Sequence, residues 1–369
     1  MGIAFLALAL VARAARAVDT YVAAETSYVS WASQALDARL AEAIQTSIVT
    51  QAGAATNFYL GADAPWATAA GRDAVAHALY AHMTSVDASV YHLWAAFEDG
   101  GFLGYYNEGV VLAAGGGRAI GWIDDENSTC PDWGVDEQCR AYYAIDPVTG
   151  HRRDQLSAIA YDPRERGWYT TLVALQGDGA TAVSSWSSIF RDSTLSATQY
   201  HPPGNATYPS TDHSMALCSS LLSARGAFQG VGCTALLLDV LDRGFRTVLA
   251  DYDDDDVLAY VRERPTGRVV LSSIRNSTQL WDPTYVGSKP PALFYDGADH
   301  PVALINRSVA YLGALNLWTN DTVVHDADAG YFYETIRITD DYLDWSLSLI
   351  HISEPTRQEA ISYAVFCLK

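Results

Sequence analysis

Tyr161-Asp162-Pro163-Arg164-Glu165-Arg166-Gly167-Trp168-Tyr169 is the densest run of recognition chemistry in the chain. Proline sets its own φ and pushes the residue before it out of the α region, so Asp162-Pro163-Arg164 is read as a turn. Two arginines then supply planar, bidentate donors for a carboxylate or phosphate. Two large aromatics supply flat faces for stacking or cation–π contact. Two readings stand side by side. The run is a cradle for a small anion, or Trp168 and Tyr169 are core residues and Arg166 is paired to a nearby acid.

The surrounding 369 residues are 49% hydrophobic, enough for a sizeable core and for two or three compact units. A net charge of −20 repels phosphate, which excludes nucleic acid and anionic membrane surfaces as partners. Asn127, Asn205, Asn276, Asn306 and Asn320 each begin Asn-x-Ser/Thr, whereas about one such match is expected by chance. The excess points to a eukaryotic chain that passes through the secretory lumen as a glycoprotein. Cysteine usage agrees with an oxidising compartment, with Cys130 and Cys139 close together, Cys218 and Cys233 close together, and Cys367 left over. Spacing makes two local disulfides plausible but does not fix the pairing.

Residues 19–56 contain no proline, and Val29, Ala32, Leu36, Leu40, Ile44 and Ile48 recur at helical steps. One long amphipathic helix is expected there, with its stripe devoted to packing. A second helix is expected around Gly71–Met83. Ser89–Glu98 reads as a buried strand, and Asp99-Gly100-Gly101 turns it into Phe102–Tyr106 as a hairpin. Strands are also expected at 110–114, 119–123, 142–146, 182–192, 215–222 and 230–238, with an exposed insertion at 193–212. Residues 239–256 read as a connecting helix and an acidic linker. Asp251–Asp256 lacks the glycine and distal glutamate of an EF-hand loop, so a solvated linker is preferred to a calcium site. Strands at 257–261 and 269–273, then at 302–305, 309–315, 331–338 and 343–346, would complete a second unit.

Tyr161, Arg166, Trp168 and Tyr169 fall in order on the Tyr-x4-Arg-x-Trp-Tyr signature of the Cache family of extracellular sensor domains, and the chain resembles a double-Cache (dCache) region. The resemblance implies an α+β fold in which the long N-terminal helix backs two PAS-like antiparallel-sheet lobes. The membrane-distal lobe would be 57–238 and the membrane-proximal lobe 257–346. It implies a ligand pocket at Tyr161, Arg166, Trp168 and Tyr169, completed by Phe190 and Asp192 on the following strand. Two departures stand out. Gly167 replaces the proline usual between the arginine and the tryptophan, and Ala235 stands where amino-acid-binding members carry an aspartate for the ligand's ammonium group.

The resemblance further implies signal transduction by a membrane receptor. Its ectodomain would lie on the extracellular side of the plasma membrane and bind a small anionic or carboxylate-bearing ligand, with a homodimer as the candidate assembly. An extracellular auxiliary subunit of a channel complex is the runner-up. No metal-ligand spacing, nucleophile elbow, Cys-x-x-Cys or dinucleotide fingerprint is present, so neither enzyme activity, cofactor nor metal is expected. A secreted hydrolase with a carboxylate dyad, available to a chain with 43 Asp and Glu, is the competing class.

Both ends read differently from the body. Residues 1–18 carry an apolar run at Ile3–Ala12, too short to span a bilayer, which suits a signal peptide or a truncated transmembrane helix. Leu347–Lys369 resembles translated sequencing adapter, so the body is expected to end near Ser346, before a second transmembrane helix and an output domain.

Overall fold

The computed structural model describes residues 19–20, 22–42, 44–45, 69–85, 90–107, 120–124, 139–146, 148–179, 181–191, 213–223, 225–238, 241, 246–247, 249–250, 257–274, 296–318, 323–327, 329–339 and 343–352. Among these, residues 42–238 form one compact unit, and residues 22–41 with 241–352 form the other. The expected leader at 1–18, the insertion at 193–212 and the linker at 251–256 lie outside the described residues, as do residues 353–369.

The first unit is built on one antiparallel sheet. Its strands are β1 (Val90–Phe97), β2 (Phe102–Asn107), β3 (Ile120–Asp124), β4 (Cys139–Ile145), β5 (Arg152–Ala160), β6 (Ser184–Trp186), β7 (Phe190–Arg191), β8 (His213–Leu222) and β9 (Phe228–Leu237). Their order is β5-β4-β3-β2-β1-β9-β8-β6, with β7 also on β8. The Asp99-Gly100 turn closes the β1/β2 hairpin as expected, with the Phe97 amide donating to Gly101 O at 2.8 Å and Gly100 at φ 90°. β5 was not anticipated, because Arg152-Arg153-Asp154-Gln155 carries no apolar alternation, and the register of β4 supplies what its own pattern lacks. The preceding turn is held by Asp146, whose carboxylate accepts from Val148 N and Thr149 N at 2.9 and 3.0 Å. Those bonds and Arg153 hold that carboxyl well below the usual range. Gly150 follows at φ 73° with the Tyr80 ring where a Cβ would sit, so both backbone and space demand glycine.

Strand pleating sorts the sheet into two faces. Leu93, Ala95 and Phe97 point one way and pack with Leu103, Tyr105, Tyr143 and helix α2 (Ala69–Ser85) through Val75, Ala76, Leu79 and Met83. Trp94 and Ala96 point the other way, toward helix α3 (Gly167–Gln176).

The second unit is a five-stranded antiparallel sheet made of β10 (Val257–Glu263), β11 (Val269–Ser272), β12 (Val324–Asp326), β13 (Tyr331–Thr339) and β14 (Asp344–Ile352), in the order β11-β10-β14-β13-β12. The long N-terminal helix, α1 (22–42), presents the expected stripe of Val29, Ala32, Leu36 and Leu40, all buried. It meets this sheet through buried polar pairs: Ser33 donates to Glu334, and His351 Nε2 lies 2.7 Å from Glu25. The sheet's other face is covered by helix α4 (Ala303–Ala314).

Two expectations for this unit need correction. The strands expected at 302–305 and 309–315 are one helix, because Ile305, Ser308, Val309 and Leu312 recur at three- and four-residue steps and all are buried. The sheet also runs past Ser346, the expected end of the lobe. β14 continues through Leu347, Leu349 and Ile350, all fully buried, between β10 and β13. β14 is the central strand of the sheet, and Ser346 and Ser348 on it are as fully buried as Leu347 and Leu349.

Candidate functional site

The nonapeptide folds as two caps in series. Asp162, two residues beyond β5, is extended and caps a 3-10 turn at Pro163–Glu165, accepting the Arg164 amide at 2.8 Å. Arg166 is extended in turn, at φ −84° and ψ 141°, and serves as N-cap of α3. Proline at the first turn position and an aspartate cap are therefore the local reasons for the bend.

The two arginines, equivalent in the sequence, have different fates. Arg164 grips Asp162 with Nε and Nη2, the latter at 2.8 Å, and its Nη1 lies 3.4 Å from Glu98 O on the β1/β2 hairpin. The Arg164 guanidinium holds the Asp162 carboxyl below its ordinary range. Arg166 has no acceptor among the described residues. Its guanidinium lies 4.3 Å from the centroid of the Tyr161 ring, and its Nε is buried without a hydrogen bond. The reading in which Arg166 is simply paired to a neighbouring acid therefore fails for the described residues.

Trp168 and Tyr169, on the first turn of α3, are buried on the Trp94 face of the sheet. The Trp94 and Trp168 rings meet edge to face at 5.6 Å, Trp168 and Tyr169 at 5.8 Å, and Tyr161 and Phe102 at 5.4 Å. Burial, with Glu98 nearby, pushes the Tyr169 phenol up to about 12. The far end of α3 is fastened by Gln176. Its amide nitrogen donates to Gly179 O and to Thr181 O, and it accepts from Ser220 on β8 at 2.6 Å. Among the described residues the arrangement is thus a buried aromatic face with the Arg166 guanidinium, which has no acceptor there, at its edge.

No protein-family model matches the chain, and no curated protein matches it. Solved structures do. The sensory domain of the Campylobacter jejuni chemoreceptor Tlp3 with isoleucine bound covers 91% of this chain over 95% of its own, at 8% identity and a TM-score of 0.51. The ligand-binding domain of the same chemoreceptor in complex with L-valine gives 91%, 95%, 7% and 0.50. The fold is that of a chemoreceptor sensory domain. In this double-Cache architecture Tyr161, Trp168 and Tyr169 pack on one face of the first-lobe sheet, and Arg166 lies over the Tyr161 ring.

The remaining expected site residues fare unevenly. Phe190 is placed by backbone register alone, on β7 opposite Ser214, and Asp192 lies outside the described residues. Ala235 is buried on β9 opposite Ala216 and His92, on the same face as Trp168. Cys218 and Cys233 form a disulfide between directly opposed residues of β8 and β9, beneath that aromatic face. Cys139 opens β4, and Cys130 and Cys367 lie outside the described residues. Of the glycosylation sequons only Asn306 is described. It sits on α4 rather than in a loop, and its amide nitrogen donates to Ala298 O. Asn127, Asn205, Asn276 and Asn320 lie outside the described residues.

Sequence reasoning assigned no site role to Trp94 or Phe102. The signal for Trp94 was the two-residue period of β1, which puts it on the face opposite Leu93 and Ala95. No described helix is long and apolar enough to cross a membrane.

Proposed function

We propose that the chain is the extracellular ligand-sensing region of a eukaryotic membrane receptor and that its first lobe holds a small carboxylate-bearing molecule at Arg166. One observation carries this reading: a guanidinium with a buried, unbonded Nε and no counter-ion among the described residues, stacked on Tyr161 at the edge of an aromatic face. Folding does not leave such a group unsatisfied without consequence, because a buried donor stripped of water lacks the hydrogen bond it had in solvent. A planar carboxylate restores two of those bonds at once, while the aromatic face takes an apolar body.

The extracellular, eukaryotic setting is supported by the excess of Asn-x-Ser/Thr and by the Cys218 to Cys233 disulfide. Tyr161, Trp168 and Tyr169 form the wall, and Phe190 on β7 and Asp192, two residues on in the sequence, are proposed to complete it. The role is binding and signal transduction rather than turnover.

A screen of the purified chain by thermal shift, with a panel of short carboxylic acids and proteinogenic amino acids, tests the reading. At least one carboxylate raises the melting temperature, and Arg166→Ala removes the shift while the far-UV circular dichroism stays unchanged. A panel with no binder, or an Arg166→Ala variant that binds as well as wild type, would end it.

A further inference from the structure

The fold brings together two histidines that no local spacing in the sequence connects. His77 lies on helix α2 and His151 follows the β4/β5 turn, and their rings meet edge to face with centroids 4.9 Å apart. Both residues are exposed, and among the described residues neither ring has a hydrogen bond or an ion pair.

Both backbones are fixed. The turn before β5 is closed by Asp146 N donating to His151 O and Gly150 N donating to Asp146 O, each at 2.8 Å. Tyr105 fastens it to the sheet, its hydroxyl donating to Gly150 O at 3.2 Å, and the Tyr80 ring of α2 packs against Gly150. Tyr80 is three residues beyond His77 and lies on a neighbouring part of the helix surface, so the contact that seats the turn on α2 also sets His151 beside His77.

Two imidazoles without partners offer two nitrogen lone pairs to one acceptor. Imidazole nitrogen suits zinc, copper(II) and nickel, whereas calcium and magnesium take oxygen. Metal–nitrogen bonds of about 2.0–2.1 Å place two adjacent imidazoles of one tetrahedral or square-planar ion with their centroids roughly 4.5–5.2 Å apart. The observed 4.9 Å lies inside that range, so rotation about the exposed side-chain torsions aims both nitrogens at one ion while the backbones stay in place. Among the described residues no third histidine, cysteine or carboxylate joins them, Asp73 one turn before His77 included, which leaves the other coordination positions to water.

We propose that His77 and His151 bind one such transition-metal cation, which clips α2 to the β4/β5 turn. α2 covers the Leu93 face of the sheet and α3 the Trp94 face, so the site is separate from Arg166 and rests on no part of the sensor reading.

Thermal melting of the full chain with zinc chloride tests this, because an ion held only by the folded state raises the midpoint. Zinc raises it, EDTA reverses the rise, and calcium at the same concentration has no such effect. His77→Ala and His151→Ala each lose the rise. One equivalent of copper(II), read by electron paramagnetic resonance on the wild-type chain, shows coupling to two nitrogens, a readout that holds even if a variant fails to fold. No rise at millimolar zinc, a zinc rise that persists in either variant, an equal rise with calcium, or copper(II) coupled to fewer than two nitrogens overturns the proposal and leaves the pair a bare ring contact.

Discussion

The two lobes share a plan, a sheet with a short helix laid across one face, but among the described residues they treat the arginines beside that helix differently. Beneath α4 several polar groups, though not the buried Tyr333 hydroxyl, find partners within the protein. Tyr260 and Ser308 share a hydrogen bond at 2.7 Å, and burial raises the Tyr260 phenol above its ordinary value. Arg307 lies 3.8 Å from Asp326 and over the Tyr331 ring, while Arg262 donates to Gly267 O and stacks on Trp318. Beneath α3 the polar anchors sit at the ends of the helix, the middle is aromatic, and Arg166 has no acceptor among the described residues. The second lobe is organised as a core. Among the described residues of the first lobe Arg166 is left without an acceptor, and the proposed placement of the ligand rests on this difference rather than on the shared fold.

If the second lobe is a core, its centre carries folding energy. Tyr260 is fully buried and bonded to α4, so Tyr260→Ala is expected to cost about 3–5 kcal/mol, combining a large cavity with the loss of its bond to Ser308, whose hydroxyl keeps its bond to Ile305 O. Chemical denaturation measures it. A loss under about 1 kcal/mol would erase the contrast between the lobes, because a loosely held Tyr260 would behave like a site residue.

The same test in the first lobe falls on an anchor rather than the middle. Gln176 joins α3 to β8, and its removal takes the acceptor from Ser220 Oγ, which keeps its bonds to Val183, and the donor from the carbonyls of Gly179 and Thr181. Gln176→Ala is expected to cost about 1–3 kcal/mol and to weaken carboxylate binding by loosening Trp168 and Tyr169, read by denaturation and titration on one variant. Unchanged affinity would show that α3 is positioned by its aromatic contacts alone.

How much of this was legible beforehand follows from which forces act locally. The Asp-Pro cap, the Asp-Gly hairpin and the stripe on α1 are local or periodic, and each was readable. The split between Arg164 and Arg166 was not, because both arginines have an acid within two residues. It is decided by backbone geometry, in which the 3-10 turn folds Arg164 back on Asp162 and the extended Arg166 turns away. β5 was invisible because its pairing with β4 outweighs its own polar sequence. α4 was misread because Val, Ile and Leu favour strands when counted by type, whereas their spacing is helical.

The Asp162 to Arg164 pair offers a weaker handle with a defined sign. Arg164 depresses the folded-state pKa of Asp162, so its contribution is fully present above the ordinary carboxylate value near pH 4. It is lost as pH falls through the depressed folded value. Asp162→Asn should therefore narrow the gap in stability between neutral and strongly acidic solution, measured as denaturation midpoints against pH. A gap that is unchanged would mean the pair is screened to irrelevance, as partly exposed pairs often are.

Gly167 supplies a change of the opposite sign. It occupies the first position of α3, where an amide hydrogen has no helical partner, and nothing lies within 4 Å of the Cβ a larger residue would add. Arg166 before it already has the extended conformation that a following proline requires. Gly167→Pro is expected to stabilise by about 0.4–1 kcal/mol through the unfolded chain, with ligand affinity unchanged.

The smallest expected effect on folding belongs to the residue with the largest effect on binding. Arg166 makes no ion pair and no side-chain hydrogen bond among the described residues, so Arg166→Ala removes only its stacking on Tyr161, worth about 0.5–1 kcal/mol at a partly exposed site. It also relieves a donor that folding left unbonded, which offsets that loss, and the net change is expected within about 0.5 kcal/mol of zero. Arg307→Ala in the second lobe, which breaks both an ion pair and a ring contact, should cost more. If the order were reversed, Arg166 would be a structural residue and the second lobe's arginine the spare one, and the search for the sensing site would move beneath α4.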